Sequence, residues 1–362
     1  MNNRITVKEN NLPIYEIWIE DSYEQLVSIF EPFHMKEYKI CIVTDSNVEK
    51  FYLQEVKKLL QGVAGKVVHY TMPAGEESKN LNTVQRLYEF LIKEHFDRKD
   101  MLIALGGGVV GDLTGYTAAT FLRGIRFVQM PTSLLAMVDS SVGGKTGVDF
   151  LEYKNMIGAF HQPKAVYINL SVLNTLTKEH YFNGLGEVVK YGMIQSLEFY
   201  HWLINHVETL QQKEPSALRE IVYKSCTFKQ EIVEEDPHEL NIRAYLNFGH
   251  TLGHAIEKWS KFSILHGECV ALGMIAATYL SVKRGFIEEK ELDILKDLLD
   301  QLQLPIQLNE ISKDEVVLAT KNDKKMDAGT IQFVLLKQIG EAVLDRSVTE
   351  QDMIEALEYL MR

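Results

Sequence analysis

Residues Met101–Asp112 read MLIALGGGVVGD and place a set of glycines directly after an apolar run. Gly106, Gly108 and Gly111 have the spacing G-x-G-x-x-G. The apolar run predicts a buried strand, and glycines here let the backbone approach a pyrophosphate while the following helix offers free N–H groups. We therefore predict a strand, a tight turn and a helix that binds a nucleotide. Small residues packed in a turn without any ligand give the same pattern.

The acidic residue that usually follows this glycine pattern by about 20 positions is missing. The chain reads FVQMPT there, at Phe127–Thr132. Asp45, in the turn TDSN, and Glu76, in the turn AGEESK, are the alternative candidates for a ribose partner. Either carboxylate is equally compatible with a helix cap, so the motif departs from the usual dinucleotide fingerprint.

Apolar, β-rich runs alternate with helix-like stretches through the first half of the chain. This alternation predicts βαβ units and a mainly parallel sheet, with ligand sites at the carboxyl ends of its strands. The predicted strands are Tyr38–Thr44, Lys66–Thr71, Met101–Leu105, Arg126–Met130 and Ala165–Asn169.

After about Leu170 the apolar residues recur with helical spacing. The predicted helical stretches are Leu197–Leu210, Ala217–Val233, Leu252–Lys261, Cys269–Arg284 and Met353–Met361, with one late strand at Ile331–Leu336. We predict an α/β fold in which a mainly parallel, Rossmann-like sheet domain, residues 1–175, precedes an all-α or mainly helical domain, residues 176–362.

The composition excludes several classes of partner. The formal net charge of −12 argues against general binding to nucleic acid or to an acidic membrane, because both attract a basic protein surface. The three cysteines have no metal-type spacing and are typical of reduced thiols. The N-terminus MNNRITVKENN lacks an apolar signal segment, and no run approaches the roughly 20 apolar residues of a membrane span. We expect a cytoplasmic protein with a small-molecule ligand.

Basic and polar residues gather around the run VDSSVGGKTG, Val138–Gly147. Gly143 and Gly144 permit positive φ and can expose backbone N–H groups, and Lys145 adds a positive charge, so the run is a candidate anion site. A solvated loop with surface lysines is the alternative. The surrounding candidates are Arg123, Asp139, Lys145, Lys154 and Asn155.

Histidines suggest a metal site in the second half. His250 and His254, in NFGHTLGH, share one face of a predicted helix. Thr251 occupies the place of the glutamate in the metalloprotease motif H-E-x-x-H, so protease chemistry lacks its general base. His266 and Glu187 complete a possible set with an open position, as in catalytic zinc sites. Taken alone, a histidine of this kind is more often a hydrogen-bonded structural residue than a metal ligand.

Several long motifs in the same order resemble the dehydroquinate synthases of the shikimate pathway, a family of sugar phosphate cyclases. The resemblance covers nearly the whole chain and implies a dehydroquinate synthase-like fold. The motifs are GGGVVGD (Gly106–Asp112), PTSLLAMVDSSVGGKTG (Pro131–Gly147), KNMIGAFHQP (Lys154–Pro163), GLGEVVKYG (Gly184–Gly192), NFGHTLGHAIE (Asn247–Glu257) and LHGE (Leu265–Glu268).

The resemblance implies a role for each matching residue. Glu187, His250 and His266 would bind the metal, and His254 would be catalytic without being a ligand. The other implied catalytic residues are Arg123, Asp139, Lys145 and Lys190. Further substrate contacts would be Lys154, Asn155, Lys229, Arg243, Asn247 and one of Lys324 and Lys325. NAD would contact Asp45, Asn47, Glu76, Lys79, Gly107, Gly108, Asp112, Thr132 and Ser133.

The implied reaction converts 3-deoxy-D-arabino-heptulosonate 7-phosphate to 3-dehydroquinate and phosphate, a lyase reaction that uses catalytic NAD and a divalent metal, zinc or cobalt. The first domain would then bind NAD, and the second the metal and the substrate. The family commonly has threonine at Ser133 and asparagine at Asp149, and its TLP is TLT at Thr175–Thr177. We also expect a homodimer.

Three alternatives stay open at this point. A cyclase for another sugar phosphate would share the NAD and metal parts, although Lys154, Asn155 and the run at Val138–Gly147 favour the dehydroquinate reaction. A metal-dependent polyol dehydrogenase of the same architecture would release net NADH. A non-catalytic NAD-binding regulator would show no turnover.

Overall fold

The computed structural model describes residues 3–151, 153–239, 241–320, 326–327 and 330–362. The chain divides into two compact units, Met1–Leu176 with Lys229–Glu234, and Thr177–Phe228 with Glu235–Arg362. No helix in the described ranges combines the length and the apolar character that crossing a bilayer requires.

The first unit is built on a seven-stranded sheet of order β1-β2-β9-β6-β5-β3-β4. Its strands and the hairpin β7–β8 are β1 (Arg4–Glu9), β2 (Leu12–Glu20), β3 (Lys39–Asp45), β4 (Lys66–Met72), β5 (Met101–Gly106), β6 (Arg126–Pro131), β7 (Lys145–Phe150), β8 (Tyr153–Phe160) and β9 (Ala165–Asn169). Its helices are α1 (Leu26–Phe30), α2 (Gln54–Gln61), α3 (Leu81–Lys93) and α4 (Gly108–Thr120). All five predicted strands are confirmed, with ends that differ by at most one residue.

Five strand pairs in this sheet are parallel, and only β1 pairs antiparallel, with β2. All residues of β5 and β9 are buried, as expected for strands covered on both faces. Leu102, Leu113 and Phe127 lie in the apolar core between the sheet and its helices. Each such side chain stabilises the fold by about 1.5–3 kcal/mol. This core holds the turn between β5 and α4 in place.

The second unit is mainly helical, as predicted. Its helices are α5 (Lys178–Gln195), α6 (Leu197–Asn205), α7 (Val207–Gln211), α8 (Pro215–Glu235, of which Lys229–Glu234 group with the first unit), α9 (His250–Trp259), α10 (His266–Lys283), α11 (Glu289–Gln301), α12 (Lys313–Thr320) and α13 (Glu350–Tyr359). Its strands are β10 (Met326–Asp327), β11 (Thr330–Ile331), β12 (Phe333–Gln338) and β13 (Glu341–Asp345).

Two details of the prediction for this unit need correction. The unit is not all-α, because β10–β11 and β12–β13 form two antiparallel pairs. The stretch Leu197–Leu210 is two helices that meet at His206, the residue that ends α6 with a φ of −121°. Helical spacing of apolar residues continues across such a break, so the pattern alone does not reveal it.

Glycines let α10 approach its neighbours closely. A Cβ on Gly267 would lie 1.8 Å from the carbonyl oxygen of Asn183 on α5, and a Cβ on Gly273 would lie 1.8 Å from that of Gly249. Gly249 immediately precedes α9 and has a φ of 77°, which favours glycine. These contacts bring the start of α9 to the middle of α10 and the start of α10 to α5.

Candidate active site

Three helices of the second unit bring together four side chains of types that can bind a metal. Glu187 lies in α5, His250 begins α9 with His254 one turn later, and His266 begins α10. The ligand atoms of the three histidines lie within 4.8 Å of one another. Glu187 Oε1 lies 3.2 Å from His250 Nε2 and 3.3 Å from His266 Nε2.

Glu187 is the most deeply buried member of this cluster, with 0% of its surface exposed. Neither carboxylate oxygen has a hydrogen-bond partner of good geometry in the described residues, although the ammonium group of Lys190 lies beside Oε2. Burial opposes the charge, but Lys190 and His250 outweigh it and hold the pKa of Glu187 well below its usual value. A buried, charged carboxylate that faces two imidazole nitrogens is a donor set that suits a divalent metal such as zinc.

The two imidazoles that face Glu187 are both held at their other nitrogen. His250 Nδ1 lies 3.0 Å from the carbonyl oxygen of Phe248, and His266 Nδ1 lies 3.5 Å from Glu257 Oε2. Burial lowers the pKa of His250 to about 4, which keeps the ring neutral and able to bind a metal. For His266 burial also disfavours the charge, but contacts with Glu187 and Glu257 outweigh it and raise the pKa to about 10. A metal ion between the same carboxylate and imidazole would take the place of that proton.

In the first unit, the glycine turn has the predicted form. Strand β5 ends at Gly106 and α4 begins at Gly108, with Gly107 as the N-cap residue. Gly107 has no side chain to accept from the first helical N–H groups, so these remain suited to an anion. Gly111 serves packing, because a Cβ there would lie 2.7 Å from Gln129 Oε1. The turn therefore combines a candidate phosphate site with close packing of α4 on β6.

A charged network surrounds Lys79 in this unit. The Lys79 Nζ atom lies 2.7 Å from Asp112 Oδ2 and 3.8 Å from Glu76 Oε1, and it donates to Asn155 Oδ1 at 2.6 Å. Lys154 Nζ also lies 3.8 Å from Glu76 Oε1. Burial disfavours charge on Lys79, but Asp112 and Glu76 outweigh it and raise the pKa of Lys79. The network joins residues that the sequence assigned separately to NAD and to the substrate.

Asp149 closes this network from the hairpin β7–β8. Its Oδ1 accepts from the backbone N–H of Asn155 at 2.7 Å, and its own N–H donates to the carbonyl oxygen of Lys79 at 2.8 Å. Asn155 has a φ of 51°, an unusual conformation that this hydrogen bond supports. Burial raises the pKa of Asp149, and the N–H of Asn155 opposes the shift.

Comparison with known proteins identifies the family of the chain. The model of the 3-dehydroquinate synthase N-terminal domain matches residues 69–183, and that of the C-terminal domain matches residues 184–326. The chain belongs to the 3-dehydroquinate synthase family. The 3-dehydroquinate synthase of Acetivibrio thermocellus is 44% identical over 342 residues, 94% of each chain, and that of Thermoanaerobacter pseudethanolicus is 42% identical over 354 residues, 98% of each chain. The predicted family and its lyase class are therefore confirmed.

Solved structures show the same fold. The 2-epi-5-epi-valiolone synthase ValA of Streptomyces hygroscopicus, solved with NAD+ and Zn2+, is 26% identical with a TM-score of 0.88 and covers 98% of this chain and 99% of its own. A 2-deoxy-scyllo-inosose synthase, solved with NAD+ and Co2+, has the same TM-score and the same coverage at 22% identity. An iron-containing alcohol dehydrogenase matches at a TM-score of 0.69 and 16% identity, over 96% of this chain and 97% of its own, so it shares the fold alone.

The other residues that the resemblance to the 3-dehydroquinate synthase family singled out have varied environments. Arg123 and Lys145 are exposed, and Arg123 has a φ of 68° before Gly124. Lys229 is buried and donates to Asp139 Oδ1 at 2.5 Å and to its carbonyl oxygen at 2.7 Å. The structure therefore brings Lys229 to Asp139 although 90 residues separate them.

Some of these residues have structural partners nearby. Asp45 Oδ1 accepts from the N–H groups of Asn47 and Val48 at 2.8 and 3.1 Å, so this carboxylate stabilises the turn after β3. Arg243 is buried and donates from a guanidinium nitrogen to the carbonyl oxygen of Pro237 at 2.6 Å.

The remaining assignments fall partly outside the described residues. Asn247 donates to Glu239 Oε1 at 3.1 Å. Thr132 is buried, and Ser133 Oγ accepts from the Ala136 N–H at 3.3 Å. Lys324 and Lys325 lie outside the described residues.

Sequence reasoning gave no role to Glu257, which is 3% exposed beside His266. A signal was available, because Glu257 follows His250 by seven residues and His254 by three and so shares their helix face.

Proposed function

We propose that this chain converts 3-deoxy-D-arabino-heptulosonate 7-phosphate to 3-dehydroquinate and phosphate. The observation that carries the proposal is the buried Glu187, which faces the Nε2 atoms of His250 and His266 in a member of the 3-dehydroquinate synthase family. Among the alternatives, a polyol dehydrogenase needs the same fold and a metal, but not the anion-binding residues Arg123, Lys145 and Lys154.

Glu187, His250 and His266 would hold a divalent zinc or cobalt ion, with His254 nearby as a proton carrier. When bound there, the metal supplies Lewis-acid polarisation of a hydroxyl or carbonyl oxygen. His254 is partly exposed, so its ring can reach a bound ligand and exchange protons with it. Lys190 lies against Glu187 and keeps that carboxylate ionised for metal binding.

The residues of the first unit would bind NAD and the anionic groups of the substrate. NAD supplies reversible hydride transfer, so it is regenerated in each turnover. The start of α4, at Gly107 and Gly108, suits a pyrophosphate, and Glu76 or Asp45 supplies an acceptor for ribose hydroxyls. Exposed Arg123 and Lys145 would bind carboxylate or phosphate groups of the substrate.

We also propose a homodimer that works in the cytoplasm. The hairpin β7–β8 exposes Leu151 by 83% and Phe160 by 51%, and burial of such side chains between two copies supports association. Cys41, Cys226 and Cys269 are buried free thiols, as expected in a reducing compartment. Light scattering on the purified chain tests the dimer.

The decisive experiment supplies the purified protein with the heptulosonate phosphate and an amount of NAD far below that of the substrate. We expect one phosphate per dehydroquinate formed and no accumulation of NADH absorbance. A heptulose phosphate without the carboxylate is the matched control and should turn over poorly if Arg123 and Lys145 recognise two anionic groups. Stoichiometric NADH from a neutral polyol, without phosphate release, would establish the dehydrogenase instead.

A further inference from the structure

Glu257 is a buried carboxylate behind the metal-site cluster. It lies in α9, is 3% exposed, and its Oε2 atom lies 3.5 Å from His266 Nδ1. The opposite nitrogen of the same ring, Nε2, lies 3.3 Å from Glu187 Oε1. His266 is thus held between two carboxylates, one on each ring nitrogen.

The backbone of His266 is already fixed by other contacts. Glu268 Oε2 accepts from the Leu265 N–H at 2.9 Å at the start of α10, and the Gly267 N–H donates to Asn183 Oδ1 at 2.6 Å. With the backbone held on both sides, the remaining freedom of His266 is the rotation of its side chain and the choice of ring nitrogen that carries the proton. Glu257 contacts the ring at Nδ1, where a hydrogen bond restrains the side-chain rotation and also selects the nitrogen that carries the proton.

The neighbouring ligand candidate is held in the same way by a different group. His250 Nδ1 lies 3.0 Å from the Phe248 carbonyl oxygen, and its Nε2 faces Glu187. Histidines that bind metals usually donate their second N–H to a carboxylate or a carbonyl, which fixes the tautomer and strengthens the ring as a ligand. In this cluster the Phe248 carbonyl is the acceptor for His250, and the Glu257 carboxylate is the acceptor for His266.

We propose that Glu257 is a positioning residue that holds His266 as the Nδ1–H tautomer, with Nε2 directed at the metal. This inference rests on the proposed function, because it assumes that His266 Nε2 binds a divalent metal. The carboxylate accepts the Nδ1–H, leaves the lone pair on Nε2, and adds negative charge that favours a bound cation.

Glu257→Gln and Glu257→Ala test the proposal, with Glu268→Gln as the matched control. The glutamine amide can accept from or donate to Nδ1, so it no longer selects a tautomer, and alanine removes the contact. Glu268→Gln changes the carboxylate that accepts from the Leu265 N–H at the same helix start. Far-ultraviolet circular dichroism and thermal unfolding confirm that each variant is folded.

The readout is metal binding, independent of turnover. Competition with a chromophoric chelator gives the Zn2+ affinity, the visible spectrum of bound Co2+ reports ligand geometry, and ring 15N shifts report the His266 tautomer. We expect Zn2+ affinity to fall roughly 10- to 100-fold in Glu257→Ala and less in Glu257→Gln, with altered Co2+ spectra in both. Glu268→Gln should keep the wild-type spectrum.

The outcomes separate this proposal from the one on which it rests. Wild-type Zn2+ affinity, Co2+ spectrum and tautomer in folded Glu257→Gln would overturn the positioning role, even if Glu257→Ala failed to fold. A wild-type protein that binds neither Zn2+ nor Co2+ would overturn the metal site of the proposed function itself.

Discussion

His254 and His266 differ in what surrounds them, although both belong to the same cluster. His266 has a carboxylate on each side, whereas the resemblance to the family gives His254 a catalytic role without metal binding. We predict that His266→Ala loses most of its zinc, and that His254→Ala keeps it while kcat falls roughly 100-fold, the range for loss of a proton-transfer group. Mass spectrometry of the metal content, beside turnover, checks this. Equal zinc loss in both variants would make His254 a ligand, which is possible because ligand nitrogen atoms of the three histidines lie within 4.8 Å of one another.

Asp149 differs from the asparagine common in the family, and its contacts explain why either residue can serve. Its Oδ1 accepts from the Asn155 N–H, and the amide oxygen of asparagine can do the same. We predict that Asp149→Asn changes KM for the heptulosonate phosphate and Kd for NAD by less than about threefold. Asp149→Ala should weaken both by roughly 10-fold, because a lost hydrogen bond of about 1.4 kcal/mol releases Asn155 and its partner Lys79. Substrate kinetics and NAD titration measure the two constants. Wild-type KM and Kd in Asp149→Ala would contradict this role of Asp149.

The sequence pattern predicts single candidate site residues, but not the contacts that they make. The two histidines of NFGHTLGH were found by helical spacing, because residues four apart share a face. The contact of Lys79 with Asn155 spans 76 residues and depends on the path of the hairpin β7–β8, so local pattern contains no sign of it. Glu187 shows no local signal of its own and was identified with the help of its motif.

At the scale of elements, burial decided which strands could be predicted. The parallel strands β3, β5, β6 and β9 are covered on both faces and appear as continuous apolar runs. The hairpin β7–β8 was not predicted, because β8 is partly or fully exposed along its described length and has no fully buried face. Strand β1 alternates buried and exposed residues, a signal that was present but overlooked.

The contact between α9 and α10 gives a prediction about packing. In Gly273→Ala the new Cβ would meet the Gly249 carbonyl at 1.8 Å, so the helices must separate. We expect a loss of stability of about 3 kcal/mol or more, together with weaker zinc binding, because both helices bear site histidines. Gly285→Ala is the control, since its Cβ meets no atom within 4 Å and only its φ of 71° is strained, at roughly 1–2 kcal/mol. Equal losses in chemical denaturation would show that the helices do not depend on this close approach.

The start of α13 gives a prediction about pH. Asp352 accepts from the Thr349 N–H at 2.9 Å and from Lys283 Nζ at 2.9 Å. Burial opposes the negative charge, but these two partners outweigh the effect of burial and lower the pKa of Asp352. A lowered pKa stabilises the fold above the unfolded value of about 3.9, and that contribution is lost as the pH falls through the folded value.

Asp352→Asn should therefore be less stable than the wild type by about 1 kcal/mol at pH 7, the usual worth of a helix cap. The difference should be the same at pH 5 and shrink below about pH 3.9. Urea unfolding at each pH measures it. Glu355→Gln, which changes an exposed partner of Lys283, is the control and should have little effect. A difference that grew as the pH fell would contradict the assigned direction of the pKa shift.

For the whole molecule, the sequence indicated a sheet-rich first half and a helical second half. It could not predict that a short segment of the second half groups with the first unit. Lys229–Glu234 group with the first unit although they lie inside α8, whose other residues belong to the second. A helical pattern of apolar residues continues through this segment without interruption. The pair of buried Lys229 and partly exposed Asp139 accounts for the assignment in physical terms, because both residues belong to the first unit and a hydrogen bond joins them.

The division into units predicts that the two cofactors stabilise different parts of the chain. The metal candidates Glu187, His250 and His266 all belong to the second unit, and the NAD candidates, including Lys79, to the first. A ligand that binds only the folded state adds about 2.7 kcal/mol at 100 times its Kd, and each kcal/mol raises the melting temperature of a unit of this size by about 2–4 °C.

In scanning calorimetry, Zn2+ should therefore raise one transition by about 5–10 °C and NAD the other, if the units unfold separately. His266→Ala should abolish the shift by Zn2+ and leave that by NAD, and Lys79→Met should do the reverse. A shift by Zn2+ that survived in His266→Ala would place the metal elsewhere.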